Sequence, residues 1–581
     1  MSDSPRLQPP GSDALLGWLT HYRRAWFGGD LTAGLVLSIM VIPQSMAYAM
    51  LAGMPVQVGL YASLLPLLGY AFFGSSMSMS VGPVAVTGLM TATLLAPLAE
   101  VGSADYMQLA IWLALFSGAL LFAFGLLRLG FLANFLSHPV ISGFISGAAI
   151  LIVLSQVPKL AGLRNWPDNP ATLLDSWHTS NSLVLAMGIA ALLWLVYARA
   201  WLAGHLRGMG LPELLANLAA RLAPILVVVL AVAATLQFGL SAHGVPVVGE
   251  IPAGLPSLVW QTPDTGALRS LLIPAVLISL VTFVESVSIA QSLARRKRQS
   301  INPDRELLGL GAANLGSGLT GGFAVAGGFS RSSVNIEAGA NTPLAGVIAA
   351  VMIAGILLTV APLFAYLPQV MLAVVIIVAV VPLIDLRSLA RAWRYDRAEG
   401  LTLLSTLLGV LILGVEGGII LGVCWSIVAQ LWRGSRPHVA VVGRVPDTNY
   451  FRNTKRHLVE TVPQLLALRI DENIFFANTK AVEQAIYQAL ADYPDTREVL
   501  LILSAVNHID STGLDMLSEL TEGLAERDIH LHLAEVKGPV MDHLQQTDWM
   551  QRQVDELFPS TDIAFNTLGK LKRPSPEPTE S

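Results

Sequence analysis

The sequence is poor in charge and almost without cysteine. Only 13% of its 581 residues are Asp, Glu, Lys or Arg, against about a quarter in an ordinary soluble chain. That deficit, with a mean hydropathy of +0.61, excludes a wholly soluble protein. The net charge of -5 is small and dispersed, so no basic patch marks a nucleic-acid partner. A single cysteine, Cys424, excludes an intrachain disulfide and a cysteine-based metal site. It lies in an apolar run and reads as a small packing residue. No nucleophile–base pair and no metal-ligand cluster stands out, so neither an enzyme nor a cofactor is expected. No cleavable signal is apparent either. The first apolar run, Leu31 to Met50, is too long for a signal core and leads straight into another.

What the chain has is hydrophobic runs, from residue 31 to about 432. Spans are expected near 31–50, 56–74, 107–127, 137–157, 181–199, 222–240, 270–291, 343–361, 399–414 and 416–432. Shorter or Gly/Pro-interrupted segments lie near 83–96, 305–320, 331–339 and 368–382, for a total of about fourteen. Basic residues fall on alternate connections: Arg23 and Arg24, Arg128, Arg199 to Arg221, Arg295 to Arg305, Arg387 to Arg397, and Arg433 with Arg436. The positive-inside rule then predicts both termini in the cytoplasm. A multi-pass plasma-membrane protein is expected, in a bacterial inner membrane. The run Arg295–Arg298 reads as an orientation signal, with lipid headgroup contact secondary.

After Trp432 charged residues become common and strands alternate with helices. Strands are expected at 463–470, 499–504 and 529–534, and helices at 479–493 and 512–526, giving a small soluble α/β domain. The domain plan is 1–25 as an N-terminal segment, 26–433 as the membrane domain, 434–570 as the cytoplasmic domain and 571–581 as a tail. Residues 1–12 and the tail from Arg573 read as disordered.

Two glycine-broken stretches carry the functional argument: Ser80-Val81-Gly82-Pro83-Val84 and Gly327-Gly328-Phe329-Ser330-Arg331. Each reads as a helix start inside the bilayer, with free N–H groups and the positive dipole end directed inward. Two such ends facing each other make an anion site. Pro83 suits a first helical turn, Val84 and Ala85 line the start, and Ser330 is a good cap. Arg331 needs an anion or a carboxylate, so an ion pair with Glu285 or Glu337 is the alternative reading. Gln44 follows Pro43 in the first span, with Tyr48 one turn on. Glu285 sits mid-span, where low dielectric favours a neutral carboxyl group that can take up and release a proton. The broken segments are third in each half of the membrane region, the expected trace of an inverted repeat.

These residues resemble the SulP anion transporters, the sulfate permeases and their animal relatives. The likeness rests on Gly29-Asp30-Leu31-Thr32-Ala33-Gly34, Ile42-Pro43-Gln44-Ser45-Met46-Ala47-Tyr48-Ala49, Gly59-Leu60-Tyr61, Ser80 to Ala85 and Gly328 to Ser332. Asn507-His508-Ile509-Asp510-Ser511-Thr512-Gly513 is similar to the family's STAS domain. The resemblance implies fourteen spans in a seven-plus-seven inverted repeat of core and gate, a cytoplasmic STAS domain and a homodimer. It implies that Gln44, Tyr48, Val84, Ala85, Phe329, Ser330 and Arg331 hold the substrate and that Glu285 couples protons. Thr282, Ser286 and Ser288 keep sodium coupling open. Ser511 matches a phosphorylated position of stand-alone STAS proteins, although Asp510 and Ser511 also read as a plain helix cap. Proton-coupled symport of sulfate, bicarbonate or a C4-dicarboxylate by an elevator-type movement is therefore expected. A sodium-coupled bicarbonate carrier, an uncoupled channel or exchanger, and a sensor are the alternatives. Membrane lipid and a cytoplasmic protein at the STAS domain are the other expected partners.

Overall fold

A computed structural model describes residues 17–131, 137–163, 181–257, 264–552 and 556–570. The ends expected to be disordered, 1–12 and from Arg573 on, lie outside the described residues. The chain divides into two compact units, Met1–Ser426 and Ile427–Ser581.

The first unit is helical. Its principal elements, in order, are α1 (Phe27–Leu51), α2 (Val56–Tyr61), α3 (Leu65–Phe73), β1 (Val81–Gly82), α4 (Ala85–Leu95), α5 (Ala104–Leu126), α6 (His138–Leu160), α7 (Ser182–Tyr197), α8 (Ala223–Phe238), α9 (Leu272–Lys297), α10 (Pro303–Leu319), β2 (Ala326–Gly327), α11 (Phe329–Glu337), α12 (Leu344–Thr359), α13 (Gln369–Val380), α14 (Leu386–Tyr395) and α15 (Arg397–Gly434). Among the described residues nine helical stretches are long and apolar enough to cross a membrane, and α4, α8 and α12 are shorter apolar helices. With α10 and α11 this makes fourteen segments, as the hydropathy pattern predicts. Helix α15 is two arms. Gly414 sits between them at φ 81°, a backbone state open to glycine and strained for other residues.

Lipid gives helices no hydrophobic reason to associate, so close backbone packing and buried polar bonds hold them. Helices α5 and α10 meet through glycines. A side chain at Gly118 would lie 2.6 Å from the Leu315 amide nitrogen, and one at Gly311 2.5 Å from that of Phe122. Two buried carboxylates act as staples. Asp30 at the start of α1 accepts from the Asn341 and Thr342 amides at 2.6 and 3.0 Å and from the Thr342 hydroxyl at 2.7 Å. Glu306 on α10 accepts from the Tyr70 hydroxyl at 2.8 Å and from the Ser75 and Ser76 amides at 3.0 and 3.1 Å. Each reaches across the two halves. Asp30 holds the turn after α11, and Glu306 holds the chain before β1. Both broken segments are thereby fixed by the opposite half.

Cys424 departs from expectation: it is exposed on the second arm of α15 instead of packed in a core. Its neighbours on that arm, Trp425 and Leu421, are exposed as well, so this face has no interior to fill.

The second unit is a six-stranded sheet of β3 (Val439–Arg444), β4 (Phe451–Asn453), β5 (Leu465–Ile470), β6 (Glu498–Ile502), β7 (His530–Ala534) and β8 (Glu556–Phe558), in the order β4-β3-β5-β6-β7-β8. β5 to β8 run parallel, whereas β3 is antiparallel to both of its neighbours. Helices α16 (Thr479–Asp492) and α17 (Ser511–Ala525) pack with Leu468, Leu501 and Leu533 in one core. The helix Thr561–Leu568 closes the other face over Leu500 and Ile502.

Candidate functional site

Helices α4 and α11 start from a two-residue antiparallel pairing, Val81 with Gly327 and Gly82 with Ala326. Antiparallel strands leave a pairing at opposite ends. The two helices therefore diverge from it with both N-termini turned toward it. Neither N-cap residue, Val84 or Gly328, supplies a side-chain hydrogen bond to its helix. The first N–H groups of both helices are thus left without side-chain caps, the electrostatic condition for an anion at a helix start. Helix α1 packs against both α4 and α11, which brings Gln44 and Tyr48 alongside.

The crossing is braced by side chains from three elements, α9, α10 and α11. The Ser80 amide donates to the Ser332 hydroxyl at 2.9 Å, and the Gly328 amide donates to the Ser80 carbonyl at 3.0 Å. The Gly327 amide donates to Ser286 Oγ on α9 at 2.9 Å. Asn314 on α10 both accepts from the Val325 amide and donates to its carbonyl, each at 2.9 Å. Asn335 Nδ2 donates to the Ser78 carbonyl at 3.0 Å. Sequence reasoning missed Ser332, Asn314 and Asn335 in this role. Their only signal was a small polar residue in a glycine-rich apolar setting.

Arg331 is 2% exposed. Its guanidinium lies on the backbone of both broken segments. A Cβ at Gly82 would sit 2.9 Å from Nη1, and one at Gly328 2.7 Å from Nε. Nη2 is buried and has no hydrogen-bond partner among the described residues. Among the described residues Arg331 forms no ion pair with Glu285 or Glu337. Glu337 is exposed and accepts from the Ser333 hydroxyl at 3.3 Å. A buried guanidinium without a counter-charge is costly, and an anion at this position would supply what is missing.

Glu285 Oε2 is likewise buried and unpartnered among the described residues, as is Thr282 Oγ1 one turn earlier on α9. The Glu285 side chain borders an apolar cavity of about 20 Å³ with Phe144, Val281, Val284 and Ile419. Tyr48 is within electrostatic reach of both Arg331 and Glu285. Gln44 and Tyr48 are each 7% exposed, and Val84 and Ala85 are buried beside the crossing. Ser288 is exposed and donates to the Val284 carbonyl at 2.7 Å.

Two details differ from expectation. Ser330 is exposed and is not the cap; Gly328 is. A serine cap satisfies one N–H, and the glycine leaves it open while letting the guanidinium approach. Pro83 precedes the Val84 cap instead of occupying the first turn. Phe329 is 40% exposed, so it stands at the edge of the buried group. In the second unit Asp510 is the cap of α17. Its Oδ1 accepts from the Gly513 amide at 2.8 Å and its Oδ2 from the Phe476 amide at 2.9 Å. Ser511 is the first residue of that helix and is exposed.

Gly82→Ala tests the close approach directly. The added methyl displaces the guanidinium, a flexible group, so folding should survive with a change under about 1 kcal/mol. Anion affinity should drop on the order of tenfold to a hundredfold, because misplacement costs a charge-assisted bond. Isothermal titration of detergent-purified protein checks both the affinity and, by thermal unfolding alongside, the fold.

Broken helices meeting inside a multi-span helical body define an integral-membrane transporter. Residues 27–406 match the model of the Sulfate permease family and residues 457–564 that of the STAS domain; the chain belongs to the sulfate permease family. It is 36% identical over 89% of its length to a chloroplastic sulfate transporter 4.1 of Arabidopsis thaliana, covering 76% of that protein. It is 34% identical to a probable sulfate transporter of Mycobacterium tuberculosis, covering 92% of this chain and 93% of that one. The inward-facing murine Solute Carrier 26 family member A9 anion transporter superposes with a TM-score of 0.85 at 21% identity, over 97% of each chain. The transmembrane domain of a cyanobacterium bicarbonate transporter, BicA, gives 0.57 at 23% identity, over 70% of this chain and 98% of that one. The protein is a transporter of the anion-carrying class, with a C-terminal STAS domain, and not an enzyme.

Proposed function

We propose that the protein is a secondary active carrier that takes up a small oxyanion together with a proton. The observation that carries this reading is the buried, unpartnered Arg331 guanidinium held against the backbone of two opposed half-helices. Planar donors and free N–H groups suit the several oxygens of an oxyanion. Sulfate is the first candidate, since the relatives at 34–36% identity are named sulfate transporters. Bicarbonate and C4-dicarboxylates such as succinate or fumarate are the other candidates. Gln44, Tyr48, Val84, Ala85 and Arg331 hold the anion, with Phe329 and Ser330 at its edge. Glu285 carries the proton. An elevator-type shift of core against gate moves the site, in a homodimer of the bacterial inner membrane with both termini in the cytoplasm. Ser511, exposed at a helix start, is the candidate point of regulation in the STAS domain.

Sodium coupling is the second reading, favoured by the unpartnered Thr282 hydroxyl one turn from Glu285. One experiment tests both. Purified protein in vesicles is given labelled sulfate, bicarbonate, fumarate and aspartate under imposed proton or sodium gradients. Accumulation of sulfate driven by an inward proton gradient is the expected result. Flux that ignores both gradients would replace the carrier with a channel or exchanger. Anion binding without any flux would leave a sensor.

A further inference from the structure

The connection between α13 and α15 carries a surface of its own. Helix α13 ends at Val380, a short 3-10 turn covers Val381–Leu383, and α14 begins at Leu386. At about 1.5 Å per residue from Gln369, α14 starts roughly 25 Å along the path, near the edge of a hydrocarbon layer of about 30 Å. Its residues sort into three faces. Ser388 and Ala392 turn toward the protein, Ser388 being buried and Ala392 half-buried. Leu386 and Trp393 are 58% and 45% exposed on a second, apolar face, with Leu389 between them. Arg387, Arg391 and Arg394 recur at i, i+4 and i+7 and form a third face, all exposed.

The helix is pinned at its start. The Asp385 amide donates to Ser146 Oγ on α6 at 3.1 Å, and Asp385 Oδ1 accepts from the Ser388 amide at 3.0 Å. Arg391 donates to the Ser388 hydroxyl at 3.0 Å and stands 3.8 Å from Asp385. The side chains of Arg387 and Arg394 have no hydrogen bond or ion pair among the described residues. Together with Asp385 and Ala390 the three arginines border an open recess of about 640 Å³. Asp385 caps the start of α14 and is the one acid that borders the recess, against three arginines, while the Asp396 side chain accepts from the Ala398 amide at the start of α15.

We propose that this face is a binding site for the phosphate of an anionic phospholipid headgroup. An exposed tryptophan and leucine beside a row of arginines, at interface depth, is the pattern of a segment that seats in the acyl–headgroup boundary. The arginine fork takes phosphate oxygens bidentately.

The test uses the full-length protein in nanodiscs of phosphatidylcholine with added phosphatidylglycerol, read by native mass spectrometry. The comparison variants are the triple changes R387Q/R391Q/R394Q and R387K/R391K/R394K. Each basic residue near a charged surface contributes roughly a fivefold factor, so the glutamine variant should retain phosphatidylglycerol on the order of 100-fold less well. The lysine variant keeps the charge and loses the planar fork, so it should retain clearly more than the glutamine variant and less than native protein, which separates loss of charge from loss of fold. Equal retention by native protein and glutamine variant would overturn the proposal. Displacement of the lipid by millimolar inorganic phosphate would overturn it too, since the site would then serve a free anion. Retention is measured without transport, so it stands or falls independently of the substrate and the coupling ion.

Discussion

Replacing Arg331 with glutamine should abolish measurable uptake while leaving the anion-free protein at least as stable. The two outcomes have one cause. Arg331 is 2% exposed, and its Nη2 has no partner among the described residues. Taking a guanidinium out of water without a counter-charge costs several kcal/mol, and its removal relieves that cost. An anion bound there is paired with the fork and with uncapped helix N–H groups. Removing one partner of a buried charge-assisted pair typically costs about 2–5 kcal/mol, or roughly 30-fold to several-thousand-fold in affinity. Arg331→Lys should recover only part of this, because an ammonium keeps the charge and loses the planar fork. Thermal unfolding in detergent checks the claim. Native protein should gain stability as sulfate is added, and the glutamine variant should not respond at any concentration. A variant that unfolds earlier without sulfate would mean that Arg331 holds the crossing together as structure.

The parts of this arrangement differed in how far they could be read from sequence. Breaks at Gly82 and at Gly327-Gly328 are visible because glycine interrupts runs that are otherwise apolar enough to span. Arg331 is visible because charge at that depth is rare. The pairing of Val81 with Gly327 is not visible. Two residues give no period-2 pattern, and their partners lie some 245 positions apart. Ser330 was the expected cap because capping preferences describe helix ends that need their N–H groups satisfied. Here glycine stands at the cap and no side chain satisfies the helix start, which is what the proposed anion site requires. The edge strands β4 and β8, three residues each, were too short to read. Helix α14 was hidden for a different reason. Its arginines were credited to membrane orientation, and one set of charges can serve both orientation and recognition. Asp30 appeared only inside a motif and Glu306 not at all, since a buried carboxylate satisfied by neutral donors has no charge partner to signal it.

Glu285→Gln should end proton-driven accumulation and leave anion exchange largely intact. Moving one charge against 100 mV takes about 2.3 kcal/mol, so a dianion entering alone against an inside-negative potential of that size meets about 4.6 kcal/mol. That is on the order of a 2,000-fold opposing concentration ratio. One co-transported proton halves it for sulfate and removes it for bicarbonate. In the proposed mechanism Glu285 carries that proton: its Oε2 is buried and unpartnered among the described residues, and it borders an apolar cavity. Glutamine keeps the shape and cannot exchange a proton in this range. With the membrane potential clamped at zero, one coupled proton supports about tenfold accumulation per pH unit. Native vesicles should show this, and the variant should stay near a ratio of one. Counterflow of labelled against unlabelled sulfate needs no net proton movement, so it should fall by less than about fivefold if Arg331 and the helix ends alone hold the anion. Loss of counterflow along with accumulation would move Glu285 from coupling into binding. Accumulation that persists undiminished in the variant would remove it from the mechanism and turn attention to Thr282 and a sodium gradient.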